Sequence, residues 1–397
     1  MPGKGDYKND ICITIENLKS EILDISHKIH DNPETGLEER FACKLLTQRL
    51  SSHGFKVDCG IGGLETAFSA VYASNKEGPR IAILAEYDAL RGIGHGCGHN
   101  IVAASAYGAA VPLPAIVDEV GGSVAVIGTP AEETLGGKIN LLDAGVFDIY
   151  DFAMMVHPTN IRKNILGRCA LACTGITYEF VGKSSHSALE RQGINALSAC
   201  INTFQNIAGI RSSFSFGQMV NGVILDGGSA SNIVPGYAKA EFCLRAKNVK
   251  ELNELIERVD RCAKAGAEAV GTKLNIVREP IFTERYSNHA MDEAFRKNLE
   301  LLGKQGFYPR KDDFVGSSDI GNVSLKLPTI HEYISIADEN INMHSVEFAE
   351  VTTSEKGDEG CILGAKALAM TALDLLTDNN LREETVYEFK NKEEVNL

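Results

Sequence analysis

Apolar positions in the first part of the chain recur at two different periods. Leu18, Ile22, Ile25 and Ile29 sit at helical spacing and predict an amphipathic helix to about His30. Ala42, Leu45, Leu46 and Leu50 predict a second helix that stops near Gly54. Three short apolar runs of strand type follow: Arg80–Ala85 (RIAILA), Ser123–Gly128 (SVAVIG) and Phe152–Val156 (FAMMV). The Ala-rich stretch from Asn100 to Ile116 reads as a buried helix between the first two. Strands alternating with helices predict an α/β layer with a largely parallel sheet.

From about Cys169 the pattern changes. Leu171–Val181 reads as a strand, and Ile194–Ile210 as a helix with Leu197, Ile201, Phe204 and Ile207 on one face. Met219–Leu225 and Tyr237–Leu244 read as strands. A helix carrying Leu252, Leu255, Ile256, Val259, Cys262 and Ala263 ends by Gly271, and Lys273–Val277 closes the series. This β-α-β-β-α-β order is the ferredoxin-like unit. It predicts an inserted domain over 169–282, with 1–168 and 283–397 forming one discontinuous domain. There the α/β pattern resumes: a helix from about Ala290, a strand near Thr329–Ile336 and a helix near Gly360–Leu376. The charged tail Arg382–Leu397 reads as frayed.

Composition narrows the function classes. The 397 residues exceed what one hydrophobic core usually fills, and 44% apolar content is that of a globular protein. A formal net charge of −14 argues against a nucleic-acid partner, which calls for a basic surface. The most apolar stretch noted, Ile101–Val117, is interrupted by Ser105, Pro112 and Pro114 and is too short to cross a membrane. The polar N-terminus carries no signal core, so the expected location is cytoplasmic and the ten cysteines read as reduced thiols. Cys169 and Cys173 lie four apart, a spacing that argues little for a metal.

Four segments with strong ligand types follow predicted strands. They are Gly94-His95-Gly96-Cys97-Gly98-His99-Asn100, Thr129-Pro130-Ala131-Glu132-Glu133, His157-Pro158, and His344 in Asn342-Met343-His344-Ser345. In extended backbone residues i and i+2 point the same way, so Cys97 and His99 could aim a thiolate and an imidazole at one point. Each segment alone has a bland reading: a hydrogen-bonded histidine, or a solvated pair of glutamates. The conjunction is stronger, because all four fall at the carboxyl edge of one predicted sheet, where open α/β sheets bind ligands. Cys, His and Glu together suit zinc, manganese or cobalt.

The ordered set resembles the amidohydrolase branch of the aminoacylase and carboxypeptidase clan of dinuclear metallopeptidases. That branch includes hydrolases of auxin conjugates, hippurate and p-aminobenzoyl-glutamate, and a β-alanyl dipeptidase. The resemblance starts at His30-Asp31-Asn32-Pro33-Glu34 with Glu38-Glu39, and runs through Asp88-Ala89-Leu90, Cys97-Gly98-His99, Glu132-Glu133 and His157-Pro158. It continues through Gly182–Ser187, Ser231–Pro235 and Arg245, and ends at His344-Ser345. It implies a metallopeptidase-type α/β/α catalytic domain with a ferredoxin-like lid and dimerisation domain. It implies two divalent ions, zinc or manganese, held by Cys97, His99, Glu133, His157 and His344. Glu132 would be the general base, and Asp88 would orient a ligand histidine. In relatives a lid histidine from the partner subunit reaches the active site; His186 occupies that motif and would stabilise the oxyanion. Asn232 would help hold the carbonyl oxygen and Arg245 a substrate carboxylate. The bland readings stand beside these: a turn residue, a cap and a salt bridge.

The chain departs from the commonest pattern at Glu86-Tyr87-Asp88, at Asn100 after His99, and at Ser318–Ser324. These variants look most like the p-aminobenzoyl-glutamate hydrolase and β-alanyl dipeptidase subgroup. His95 reads as a loop residue rather than a ligand. The implied activity is hydrolysis of an amide bond in N-acyl or aroyl amino acids or dipeptides, by a homodimer joined through the lid domain. A dedicated dipeptidase of β-alanyl or Xaa-basic type is the alternative. A catalytically silent binding protein and a cysteine hydrolase using Cys97 are the rivals from other classes.

Overall fold

The apolar runs of the sequence become the middle of one sheet. A computed structural model of the chain describes residues 4–310, 316–338 and 340–392. Ser123–Gly128, Arg80–Ala85, Phe152–Thr159 and Thr329–Ser335 lie side by side in that order, all parallel. They are buried over almost their whole length, as strands covered on both faces must be. The eight-stranded sheet is parallel through this centre and again in its outermost pair, Asn164–Ile165 with Gly306–Phe307. Phe68–Ala73 and Lys56–Cys59 extend one side antiparallel, and Asn164–Ile165 meets the Thr329–Ser335 strand antiparallel on the other. The expected largely parallel sheet is thus mixed at its edges. The connection from Cys59 to Phe68 is too short for the crossover that parallel neighbours need.

Helices cover the sheet. The single helix expected over Asn100–Ile116 is two, His99–Ala110 and Pro114–Val120, bent by 44°. Prolines 112 and 114 cannot donate to a continuing helix, and Pro114 instead starts the second one. All twelve residues of His99–Ala110 are buried. Against it packs Glu355–Thr377, with Ser105 Oγ donating to Cys361 O at 3.0 Å. By length and composition alone this helix is long and apolar enough to cross a membrane, as the bent pair would be if taken as one span; 83% of the most apolar window of Glu355–Thr377 is buried inside the protein.

The tail expected to fray is helical over Asn379–Lys390. Asp378 caps it by accepting from the Asn380 and Leu381 N–H groups. Glu388 in turn accepts from the His289 and Ala290 N–H groups and the Tyr286 hydroxyl, capping the helix His289–Leu301. Its last five positions, 393–397, lie outside the described residues.

The chain divides into two units. The described residues up to Cys169, with 285–310 and 318–392, form the first; Ala170–Glu284 with 316–317 form the second. The second unit has a four-stranded antiparallel sheet in the order Lys273–Arg278, Ala172–Val181, Tyr237–Ala246, Met219–Asp226. Burial alternates residue by residue along the two central strands, so one face is apolar and covered. Ala196–Ile210 and Val249–Val270 cover it, joining Ile176, Tyr178, Phe180, Phe242 and Leu244 in one core. The sequence order gives the β-α-β-β-α-β fold.

Candidate metal centre

All four candidate segments lie in the first unit; three follow its parallel strands, while His157-Pro158, expected after a strand, lies inside Phe152–Thr159 near its carboxyl end. The Arg80–Ala85 strand leads into Glu86–Leu90 and then the glycine-rich turn that holds Cys97. Gly98 has φ 84, and a Cβ there would lie 2.4 Å from Pro158 Cγ. Glycine is what lets the Cys97 loop approach His157-Pro158 so closely. His344, itself at φ 62, is drawn in by its N–H donating to Gly96 O at 2.8 Å.

The ligand atoms converge. Cys97 Sγ lies 3.5 Å from His157 Nε2. His157 Nδ1 faces Pro158 O at 2.7 Å, which fixes the proton on Nδ1 and turns the Nε2 lone pair toward the thiol. His99 Nδ1 faces Asp88 Oδ1 at 2.9 Å and Asp88 O at 3.0 Å, so its Nε2 is likewise left open. Glu133 Oε1 is 3.6 Å from His344 Nε2 and 4.0 Å from His99 Nε2. The Glu133 N–H donates to Asp88 Oδ2 at 2.9 Å, so Asp88 holds one partner with each oxygen. Among the described residues four groups have all their ligand atoms within 4.8 Å of one another. Cys97, His99 and His157, and Cys97, Glu133 and His344, share Cys97; His99, Glu132 and Glu133, and Glu86, Glu132 and Asp319, share Glu132.

These residues fit divalent cations. His99 Nε2 and Glu133 Oε1 are buried and have no hydrogen-bond partner. Unpaired buried polar atoms are costly, and cations bound beside them would satisfy both. Cation binding would displace protons from His99 and Cys97, while His157 needs no such loss. Burial resists a charge on His99, yet Cys97 and Asp88 raise its pKa well above the usual range. Burial, with His99 adding to it, lowers His157 to about 4, so that ring is neutral and ready to ligate. Burial lifts the Cys97 thiol well up. Burial likewise lifts the carboxyl of half-buried Glu132 well above its ordinary value, helped by Glu86, Asp319 and Glu133. The excess negative charge here is what bound cations would offset.

Sequence reasoning missed the support beneath Glu132. Lys138, fully buried, donates through Nζ to Glu86 Oε1 at 2.5 Å and Asp319 Oδ1 at 2.6 Å. Its N–H also donates to Asp319 Oδ2 at 2.9 Å. Glu86, Glu132 and Asp319 therefore cluster around an internal ammonium. The only sequence signals were the departures at Glu86 and Ser318–Ser324. His95 is buried and belongs to none of the ligand groups among the described residues.

The other three site residues expected from sequence lie in the second unit. The short strands Ser185–His186 and Ile233–Val234 pair antiparallel, with Ile233 opposite His186. The Ser187 N–H donates to Asn232 O at 3.0 Å. His186 and Asn232 are thereby neighbours, and both are exposed. His186 Nδ1 accepts from the Ala188 N–H at 3.1 Å, leaving Nε2 outward. Arg245, half-buried on Tyr237–Ala246, donates to Ser317 Oγ at 2.7 Å.

Comparison with known proteins accords with this geometry. Residues 172–270 match the model of a peptidase dimerisation domain. The chain is 34% identical to the Xaa-Arg dipeptidase of Mus musculus, over 95% of this chain and 91% of that protein. It is 24% identical to a subunit of the p-aminobenzoyl-glutamate hydrolase of Escherichia coli, over 93% of this chain and 92% of that one. Among solved structures, a dinuclear metal-binding peptidase of the M20 family from Bacillus subtilis superposes with a TM-score of 0.71 at 20% identity, covering 91% of this chain and 99% of that one. With relatives this similar along nearly its whole length, the chain belongs to the M20 family of metallopeptidases, on the branch of metal-dependent amide hydrolases and dipeptidases.

Proposed function

We propose that this chain is a dipeptidase of the Xaa-basic type that works with two divalent ions, zinc or manganese. The observation that carries the reading is the pair of ligand groups sharing Cys97, with the Glu132 carboxyl beside them. The substrate class follows from the Xaa-Arg dipeptidase as a whole-length relative. Cys97, His99 and His157 would hold one ion, and Cys97, Glu133 and His344 the other. Bound there, the ions would lower the pKa of a coordinated water and polarise the scissile carbonyl.

The chain's own groups do the rest. Asp88 fixes the tautomer and the ring orientation of His99. Glu132, next in the chain to the ligand Glu133, takes a proton from the attacking water and delivers it to the leaving amine. From the second unit, on resemblance, we assign His186 to the oxyanion, Asn232 to the carbonyl oxygen and Arg245 to the substrate carboxylate. The matched dimerisation domain supports assembly as a homodimer through that unit.

A substrate panel at saturating zinc or manganese tests this. Dipeptides ending in Arg or Lys should give the highest kcat/KM, with N-acyl and aroyl amino acids well below. Equal rates across the panel would replace the dipeptidase reading with a general amidohydrolase. No hydrolysis at all, with metal bound and Glu132→Gln without effect, would leave a binding protein.

A further inference from the structure

The N-terminal signature around Glu34 and Glu39 contributes no ligand to the site, yet three contacts tie it to the loops that carry the chemistry. The Ala89 N–H, next to Asp88, donates to Glu34 O at 2.8 Å. Gly36 lies against the glutamate loop: a Cβ on it would meet Thr134 Oγ1 at 2.3 Å and Ala131 Cα at 3.0 Å. Glu39 Oε1 accepts from the Ala131 N–H at 2.8 Å.

The third contact stands out for what Glu39 does not do. It occupies the cap position of the helix Arg40–Ser52, but its side chain makes no capping bond. Glu34 takes that task, accepting from the Phe41 and Ala42 N–H groups. The Glu39 carboxylate, fully buried, points instead to Ala131 and to the Thr66 hydroxyl, which donates to Oε2 at 2.8 Å. Tyr87 locks Thr66 from behind, its hydroxyl donating to Thr66 O at 2.6 Å.

Ala131 needs such a partner. It has φ 60, a left-handed conformation that costs a non-glycine residue free energy unless its surroundings impose it. Its carbonyl accepts from the N–H groups of Leu135 and Gly136, at 3.1 and 2.9 Å. The turn that presents Glu132 and Glu133 therefore closes on Ala131 from one side, and Glu39 fastens Ala131 from the other.

We infer that the Glu34–Glu39 segment is a brace for the catalytic loops, with Glu39 the positioning residue that holds Ala131 left-handed and so aims Glu132 and Glu133. The inference rests on the proposed role of Glu132. It assigns a task to a motif that resemblance alone left without one.

The test compares Glu39→Ala, Glu39→Gln and the double variant Glu39→Ala/Ala131→Gly, at saturating metal on an Xaa-Arg dipeptide. Glu39→Ala should lower kcat by about 10- to 100-fold with KM changed by less than about threefold, since a misaimed base costs rate rather than binding. Glu39→Gln keeps an acceptor for the Ala131 N–H and should stay within about fivefold of the parent. Glycine adopts the left-handed conformation freely, so the double variant should regain about fivefold over Glu39→Ala.

A second readout does not use activity. In metal-free protein, backbone hydrogen exchange in peptides covering 129–136 should quicken about tenfold or more in Glu39→Ala, while peptides from Phe152–Thr159 stay unchanged. If Glu39→Ala does not fold, Thr66→Val decides: it should lower kcat several-fold without moving KM. Unchanged kcat and exchange in the folded variants would overturn the inference, as would a loss that neither Gln nor the glycine relieves. Glu132→Gln, run alongside, separates the failures. If it is fully active, the role of Glu132 falls; if it is inactive while Glu39→Ala is normal, only the brace falls.

Discussion

The His344 N–H donates to Gly96 O at 2.8 Å, joining two loops from opposite ends of the first unit's sequence. This bond seats His344 beside Cys97 and Glu133 even though more than half of its side chain is exposed. An exposed imidazole has no burial to hold it, so backbone pairing does the positioning. The thiol at the centre of both ligand groups then sets the first prediction.

Cys97→Ser should cost both ion sites at once. We expect kcat/KM to fall on the order of 10³-fold or more, because the ions supply several kcal/mol of transition-state stabilisation. A chelator should abolish wild-type activity and added zinc or manganese should restore it. A cysteine hydrolase would instead survive chelation, so activity assays before and after metal removal separate the two mechanisms.

Asp88→Asn keeps the size of the side chain but weakens its hold on His99 and on the Glu133 N–H. Metal affinity or kcat should fall about 10- to 100-fold, as when other hydrogen-bonded supports of metal ligands are removed. Titration with a metal-sensitive dye alongside kinetics would show which of the two takes the loss.

Lys138→Met should be costly to the fold. It leaves Glu86 and Asp319 buried together without the ammonium between them. Removing one member of a buried ion cluster typically costs about 3–5 kcal/mol. Denaturant unfolding of the variant should show a loss of that order. A loss under about 1 kcal/mol would mean that the triad is not a structural support.

The pH dependence of the first unit's stability should reflect the buried pair Asp292 and Glu332. Burial raises Asp292 to about 7, with Glu332 close by and itself lifted well above its usual range by burial and by Asp292. A carboxyl with a raised folded-state pKa stabilises below its unfolded value near 4, and that stability is lost as pH rises through about 7. Wild type should therefore lose more Tm between pH 5 and pH 8 than Asp292→Asn does. Equal pH slopes for the two proteins would contradict the assignment.

Much of this site was legible because its residues carry local signals. Cys97 and His99 follow a strand, although the left-handed Gly98 between them and a helix starting at His99 replace the extended backbone expected there; His157 lies near the end of another strand and Glu132-Glu133 follows a third, and strand ends are where open α/β sheets gather ligands. The supports carried no such signal. Nothing in the sequence around Lys138 marks it, and only the folded chain buries it between Glu86 and Asp319. The left-handed Ala131 is invisible in a residue type that normally avoids that conformation. The tail misled for a related reason. Its charge suggested solvent and fraying, but Glu388 is used as a cap for a helix that starts about a hundred residues earlier.

The central claim is that Cys97 joins two divalent ions, with Glu132 beside them. Anomalous diffraction at the zinc edge, from crystals of Glu132→Gln grown with zinc, tests it most directly. The account predicts two peaks per chain, each within bonding distance of Cys97 Sγ, one shared with His99 and His157 and the other with Glu133 and His344. A single peak, or any pair that leaves Cys97 uncoordinated, would contradict it.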